Sequence, residues 1–165
     1  MLRGSLVSVA VSTVEASDPQ GVTAAASELT SRIADLDGAL AEHQQALARV
    51  RASWQASARD AAAATAEQDV AALTQMRDRL ESVRTALTTG GAHLDAVRTG
   101  LVGLVAALRG MGWTITDDGH AIAPVFPPLL KHFEPGFSAV IQRLLQLFDQ
   151  IDATTAEAIS RAVAP

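Results

Sequence analysis

The sequence predicts an all-α protein, a single elongated domain in which two long helices form an antiparallel hairpin, followed by a small β-hairpin and a third, C-terminal helix. Three observations predict it. The 165 residues include 33 Ala and 18 Leu but only four Phe, two Trp and no Tyr, which suits a thin helical core better than a sheet packed with β-branched side chains. Two long segments repeat apolar residues at alternating spacings of three and four. Only Trp113–Ala123 carries a β signature, a short apolar alternation around Asp118-Gly119.

The first helix opens at Asp18-Pro19, where Asp can cap and Pro fits the first helical position. Its seam runs Val22, Ala26, Leu29, Ile33, Leu36, Leu40, His43, Leu47, Val50, Trp54 without a slip, giving a helix over 18–52. At 1.5 Å per residue it is about 50 Å long, and only a helix of similar length can cover its apolar face. That partner is the second helix, 57–110, with Leu73, Met76, Leu80, Val83 and Leu87 leading through Gly90 to Leu94, Val97, Leu101, Leu104 and Leu108. A Gly pair inside a helix costs about 1 kcal/mol per residue relative to Ala. The heptad phase nevertheless survives Gly90-Gly91, so one continuous helix is expected.

Gly110-Met111-Gly112 stops that helix. A two-residue Asp118-Gly119 turn then pairs Asp117 with His120 and Ile115 with Ile122, placing Trp113, Ile115 and Ile122 on one face with Asp117 and His120 at the tip. Pro124, Pro127, Pro128 and Pro135 punctuate a crossover at 124–135 that carries Phe126, Leu129, Leu130 and Phe133, candidates for partner binding. The last helix, 136–162, aligns Phe137, Ile141, Leu144, Phe148 and Ile151, with Val140, Leu145 and Leu147 widening the stripe.

The formal charge is -5 and no run of five like charges occurs, so nucleic acid is not an expected partner. Without Cys there is no disulfide or thiolate metal site, and without Asn no N-glycosylation acceptor. Before residue 18, Ser5, Ser8, Ser12 and Thr13 interrupt the apolar residues and Glu15 follows, so a secretory signal peptide is not expected there. The apolar stretch Leu101–Leu108 is too short to span a membrane, and a membrane is not an expected partner.

Catalytic signatures are missing: no Cys nucleophile, no Gly-x-Ser-x-Gly elbow, no phosphate loop, no His-Glu-x-x-His helix. His43, His93, His120 and His132 do not cluster, and the carboxylate pairs stand two residues apart, on different sides of a helix. No cofactor, metal or catalytic residue is assigned. The one constellation an enzyme could use is Asp117, His120, His132 and Glu134, if the β-hairpin and crossover converge.

Where the first helix gives way to the second stands Arg51-Ala-Ser-Trp54-Gln55-Ala56. This resembles the Trp-x-Gly turn of the WXG family, helical-hairpin substrates and modules of type VII (ESX) secretion, with Ala56 in place of the Gly. The heptad helix before Trp54 and the Ala-rich helix after it extend the likeness over residues 18–123, similar to the N-terminal modules of larger actinobacterial effectors. The resemblance implies a non-enzymatic interaction module that pairs with itself or with a co-encoded WXG-like protein or effector. It also implies a location that is secreted or envelope-associated if the chain is exported, and cytoplasmic otherwise. The family's export signal, Tyr-x-x-x-Asp/Glu, has no Tyr here; its nearest substitute is Phe148-x-x-x-Asp152. The alternatives are the small enzyme outlined above and a membrane-active helical protein using Leu101–Leu108 and the crossover apolar residues.

Overall fold

The computed structural model describes residues 9–53 and 56–164; the side chains of residues 53 and 56–59 lie outside that description. The elements are α1 (Val11–Ala16), α2 (Pro19–Ser53), α3 (Ala56–Gly110), β1 (Thr114–Ile115), β2 (Ala121–Ile122), a 3-10 turn (Pro128–Phe133) and α4 (Glu134–Val163). The architecture is all-α, with a long helix pair, a two-stranded antiparallel ribbon and a C-terminal helix. The chain divides into two compact units, one comprising residues up to Val22 with Thr89–Glu157, the other Thr23–Thr88 with the chain from Ala158.

The second unit holds the helical hairpin over Thr23–Thr88, while the first turn of α2 belongs to the first unit. Asp18 Oδ1 accepts from the Gly21 N–H at 3.0 Å, capping α2 ahead of Pro19. Ala26, Ile33, Leu40 and Leu47, one per heptad, are its buried α2 residues, while Leu29, Leu36 and Val50 are half-buried. Two ion pairs show the antiparallel sense: Arg51 with Glu67 near the bend, and Arg77 Nε with Asp37 Oδ1 at 3.0 Å further from it. His43 leaves the predicted seam. It is exposed, with Nδ1 2.9 Å from the Ala39 carbonyl oxygen one turn back. Met76 is exposed as well.

The first unit holds the closed core. Leu94, Val97, Leu101, Val105 and Leu108 of α3 share this core with Ile141, Leu145 and Phe148 of α4 and with Trp113, near the start of the joining segment. α3 is one helix through Gly90-Gly91, as its phase requires. The reason Gly is needed at 90 is packing: a Cβ there would overlap the Thr155 side chain of α4, whose own Cβ would stand 2.9 Å away. α3 ends in a Schellman motif, with Trp113 N–H donating to Leu108 O and Gly112 N–H to Arg109 O, both 3.0 Å, and Gly112 at φ 83°.

The ribbon differs from expectation by one residue. Thr114 pairs with Ile122 and Ile115 with Ala121, so the loop is three residues, Asp117-Asp118-Gly119, with Gly119 at φ 84°. A one-residue slip reverses which side chains face inward. Trp113, Ala121 and Ala123 are buried and Ile122 is 48% exposed, so Ile115 and Ile122 do not share a face, and Asp117 does not oppose His120. The cause is local: Thr116 Oγ1 accepts the His120 N–H at 2.9 Å and donates to Asp118, closing the wider loop.

α1 is an element that the sequence pattern does not announce. Val11 and Val14, one helical turn apart, are fully buried in the core. Six residues cannot hold a helix alone, and both ends are clamped from elsewhere in the unit. At the N-terminus, Val11 N–H donates to the Asp117 carbonyl oxygen at 2.9 Å; Ser12 N–H and Oγ donate to the Asp117 carboxylate at 2.8 and 2.9 Å. At the C-terminus, Arg98 donates to the Glu15 carbonyl oxygen at 2.9 Å and Arg109 pairs with the Glu15 carboxylate at 2.7 Å.

Candidate interaction surface

The crossover folds as Phe126–Pro127, a cis bond, leading into the 3-10 turn Pro128–Phe133. Prolines fix φ and withhold N–H groups, so the segment neither joins the ribbon nor extends α4 backward. Its apolar side chains therefore project. Val125, Phe126 and Leu129 are 90%, 83% and 69% exposed, and Phe133 is more than half exposed. Leu130 differs, turning inward to pack on the core. Phe133 is held against Phe137 (centroids 6.5 Å), and Phe137 meets Trp113 edge-on (5.1 Å, 79°), so the patch is anchored to the core through an aromatic relay. Single exposed apolar residues are ordinary; four of them within the nine residues 125–133 make a candidate interaction surface. Val125 escaped sequence reasoning because nothing periodic singles it out; its position between Pro124 and Phe126 was the available signal.

The ribbon and the start of α4 frame an open groove of about 700 Å³, lined by Thr116, Asp118, His120, Ile122, Glu134 and Ser138 among others. Its polar groups are largely engaged. β2 and the residue after it turn two N–H groups toward α4, where Ser138 Oγ accepts from Ala121 and Glu134 Oε1 from Ala123, both at 2.9 Å. His120 Nε2 lies 3.5 Å from Asp118 Oδ2 and 3.5 Å from Gln142 Nε2. The Thr116 hydroxyl, then the nearby His120, hold the Asp118 carboxyl below its ordinary value. Asp117 is also depressed, chiefly by the Ser12 N–H and then the Ser12 hydroxyl. Of the four residues an enzyme reading requires, the groove brings His120 and Glu134 together; Asp117 is turned to α1, and exposed His132 does not line it. Among the described residues no group of three His, Asp or Glu is placed to hold a metal ion.

Trp54 lies outside the described residues, and Ala56 is described only as the first residue of α3. Phe148 is buried in the core and Asp152 is exposed, so the aromatic half of that pair does not reach the surface. An 18-residue window within Asp60–Gly110 reaches a mean hydropathy of 1.2, enough by length and composition to cross a membrane, with 33% of it buried. Leu94, Leu101, Val105 and Leu108 on that helix are core residues, and a packed core helix meets the same criterion. No family model, curated protein or solved structure matches the chain.

Proposed function

We propose that the chain is a non-enzymatic helical protein–protein interaction module of the WXG kind, pairing with itself or with a co-encoded partner or effector of type VII secretion. The observation that carries this reading is the contiguous exposure of Val125, Phe126 and Leu129, with Phe133 beside them, on a rigid proline-framed turn. Apolar side chains held open by a fixed backbone lose little entropy when covered, so they favour docking. The antiparallel pairing of α2 with α3 is consistent with the family resemblance. If the chain is exported, a partner supplies the signal that the missing Tyr would carry; if it is not exported, it stays in the cytoplasm.

Size-exclusion chromatography with light scattering, on the chain alone and mixed with the product of the neighbouring gene, tests the proposal. The expected result is a complex of defined stoichiometry that Phe126→Asp with Leu129→Asp dissolves. A strict monomer that binds no co-encoded protein sinks it. Culture-filtrate fractions from strains with and without a type VII apparatus test the export route.

A further inference from the structure

α4 carries two apolar stripes, one buried in the core and one only half covered. Ile141, Leu145 and Phe148 lie in the core. Beside them, Phe133, Phe137, Val140, Leu144, Leu147 and Ile151 alternate spacings of four and three, the repeat that one helix offers to another. Phe137, Leu144 and Ile151 rest on the core. Phe133, Val140 and Leu147, at 53%, 50% and 40% exposure, stand open beside them. Within α4 the stripe is preformed from Phe137 to Ile151, about four turns or roughly 21 Å.

Charge selects the occupant. The outer flank of the stripe, Gly136, Ala139, Arg143, Gln146, Gln150 and Ala153, holds one cation and no acid in a chain of net charge -5. Neither Arg143 nor Lys131, the chain's single lysine at the crossover end, makes an ion pair among the described residues, whereas Arg51, Arg77, Arg84 and Arg109 do. A second copy fits poorly. Laying the stripe antiparallel on itself, with Phe137 opposite Leu147 and Val140 opposite Leu144, brings both Arg143 side chains to one flank beside the axis. A lipid surface fits poorly too, because an interfacial helix sinks its whole apolar face and half of this face is already in the core. We infer that the open stripe of α4 docks an amphipathic helix of a protein partner, apolar at heptad positions and acidic along its flanks. This inference rests on the interaction-module reading and specifies its partner.

The test uses the full chain and two synthetic 21-residue peptides, both with Leu at the two core heptad positions, one with Glu and one with Lys at the flanking positions. Binding is read by fluorescence anisotropy at about 0.15 M salt, where charges beyond a Debye length are screened. The Glu peptide is expected to bind about tenfold tighter than the Lys peptide. Val140→Glu with Leu147→Glu should abolish binding of both, and Arg143→Glu should erase or invert the preference. Asp149→Ala, a control at an exposed site off the stripe, should change nothing, and circular dichroism confirms that each variant is folded.

Equal affinities, a preference for the Lys peptide, or binding untouched by the Val140→Glu, Leu147→Glu pair overturns the inference. So does a concentration-dependent dimer, or binding to anionic phosphatidylglycerol vesicles, that Leu147→Glu abolishes. If the neighbouring gene product forms a complex that these substitutions leave intact, the stripe inference fails while the module reading stands. If neither that protein nor either peptide binds, both fail.

Discussion

At the scale of single residues, two glycines of α3 separate conformational cost from packing need. Ala in place of an exposed helical Gly gains about 0.5–1 kcal/mol. A Cβ at Gly100 meets nothing within 4 Å, so Gly100→Ala should stabilise by about that amount. Gly90 faces the Thr155 side chain, and the overlap includes its Cβ, which no rotamer can move away. Overpacking of that kind costs typically about 1–3 kcal/mol and outweighs the propensity gain. Gly90→Ala should therefore destabilise, and Gly90→Ala with Thr155→Gly should recover part of the loss; urea midpoints of the three variants check it. The sequence reveals that the heptad phase crosses Gly90-Gly91. It does not reveal why, because the reason sits on another helix more than sixty residues away.

At the scale of elements, α1 and the ribbon explain each other. Burying Val11 and Val14 contributes roughly 2 kcal/mol each, less than the cost of ordering six residues at about 1–2 kcal/mol apiece, so α1 depends on its polar clamps. The Asp117 carboxylate is held below its ordinary pKa of 3.8, first by the Ser12 N–H and then by its hydroxyl. A depressed carboxylate stabilises above its unfolded pKa and loses that contribution as pH falls through its lower folded value. Hydrogen-exchange protection of the Val11 and Ser12 amides should accordingly be intact above pH 3.8 and fall below it; Asp117→Ala should lower it already at neutral pH and flatten the dependence. Protection unchanged by Asp117→Ala would remove the clamp from the account. Two Val one turn apart are too few to show a helical period, which is why α1 is illegible in sequence. The ribbon is half legible: Asp118-Gly119 locates the turn, but Thr116, whose hydroxyl bonds His120 and Asp118, sets a three-residue loop and flips the faces. The register makes its own prediction. Ile122→Ser, at an exposed site, should change stability by less than about 0.5 kcal/mol, whereas Ala121→Leu should cost about 1–3 kcal/mol through overpacking, both read by thermal unfolding.

At the scale of the whole molecule, the heptad pattern gives the long helices and their antiparallel pairing, because burial of one face is the only way such helices persist. It gives the crossover patch as well, since Phe126, Leu129 and Phe133 stand among prolines that keep them out of a strand and outside α4. It does not give the difference in enclosure between the two compact units. In the unit built around α3 and α4, Leu101, Leu108, Ile141 and Leu145 are under 2% exposed, while among the described residues of the hairpin unit the buried side chains Ala26, Ile33, Leu40, Leu47 and Ala63 retain 3–9%. Two helices cover one face of each other and leave the seam edges wet, whereas α1, α3, α4 and the ribbon close a core from several sides. Surface ion pairs such as Arg51–Glu67 add little to a seam of that kind. Local opening follows buried apolar contact. Amides of residues 94–108 should then exchange only through global unfolding, and those of residues 30–50 and 65–85 through cheaper openings, with Leu101→Ala costing about 3–5 kcal/mol and Leu40→Ala nearer 2. Native-state hydrogen exchange across a low-denaturant series decides it: slower exchange in the hairpin than in residues 94–108 would mean that its seam is closed by contacts other than those of α2 and α3.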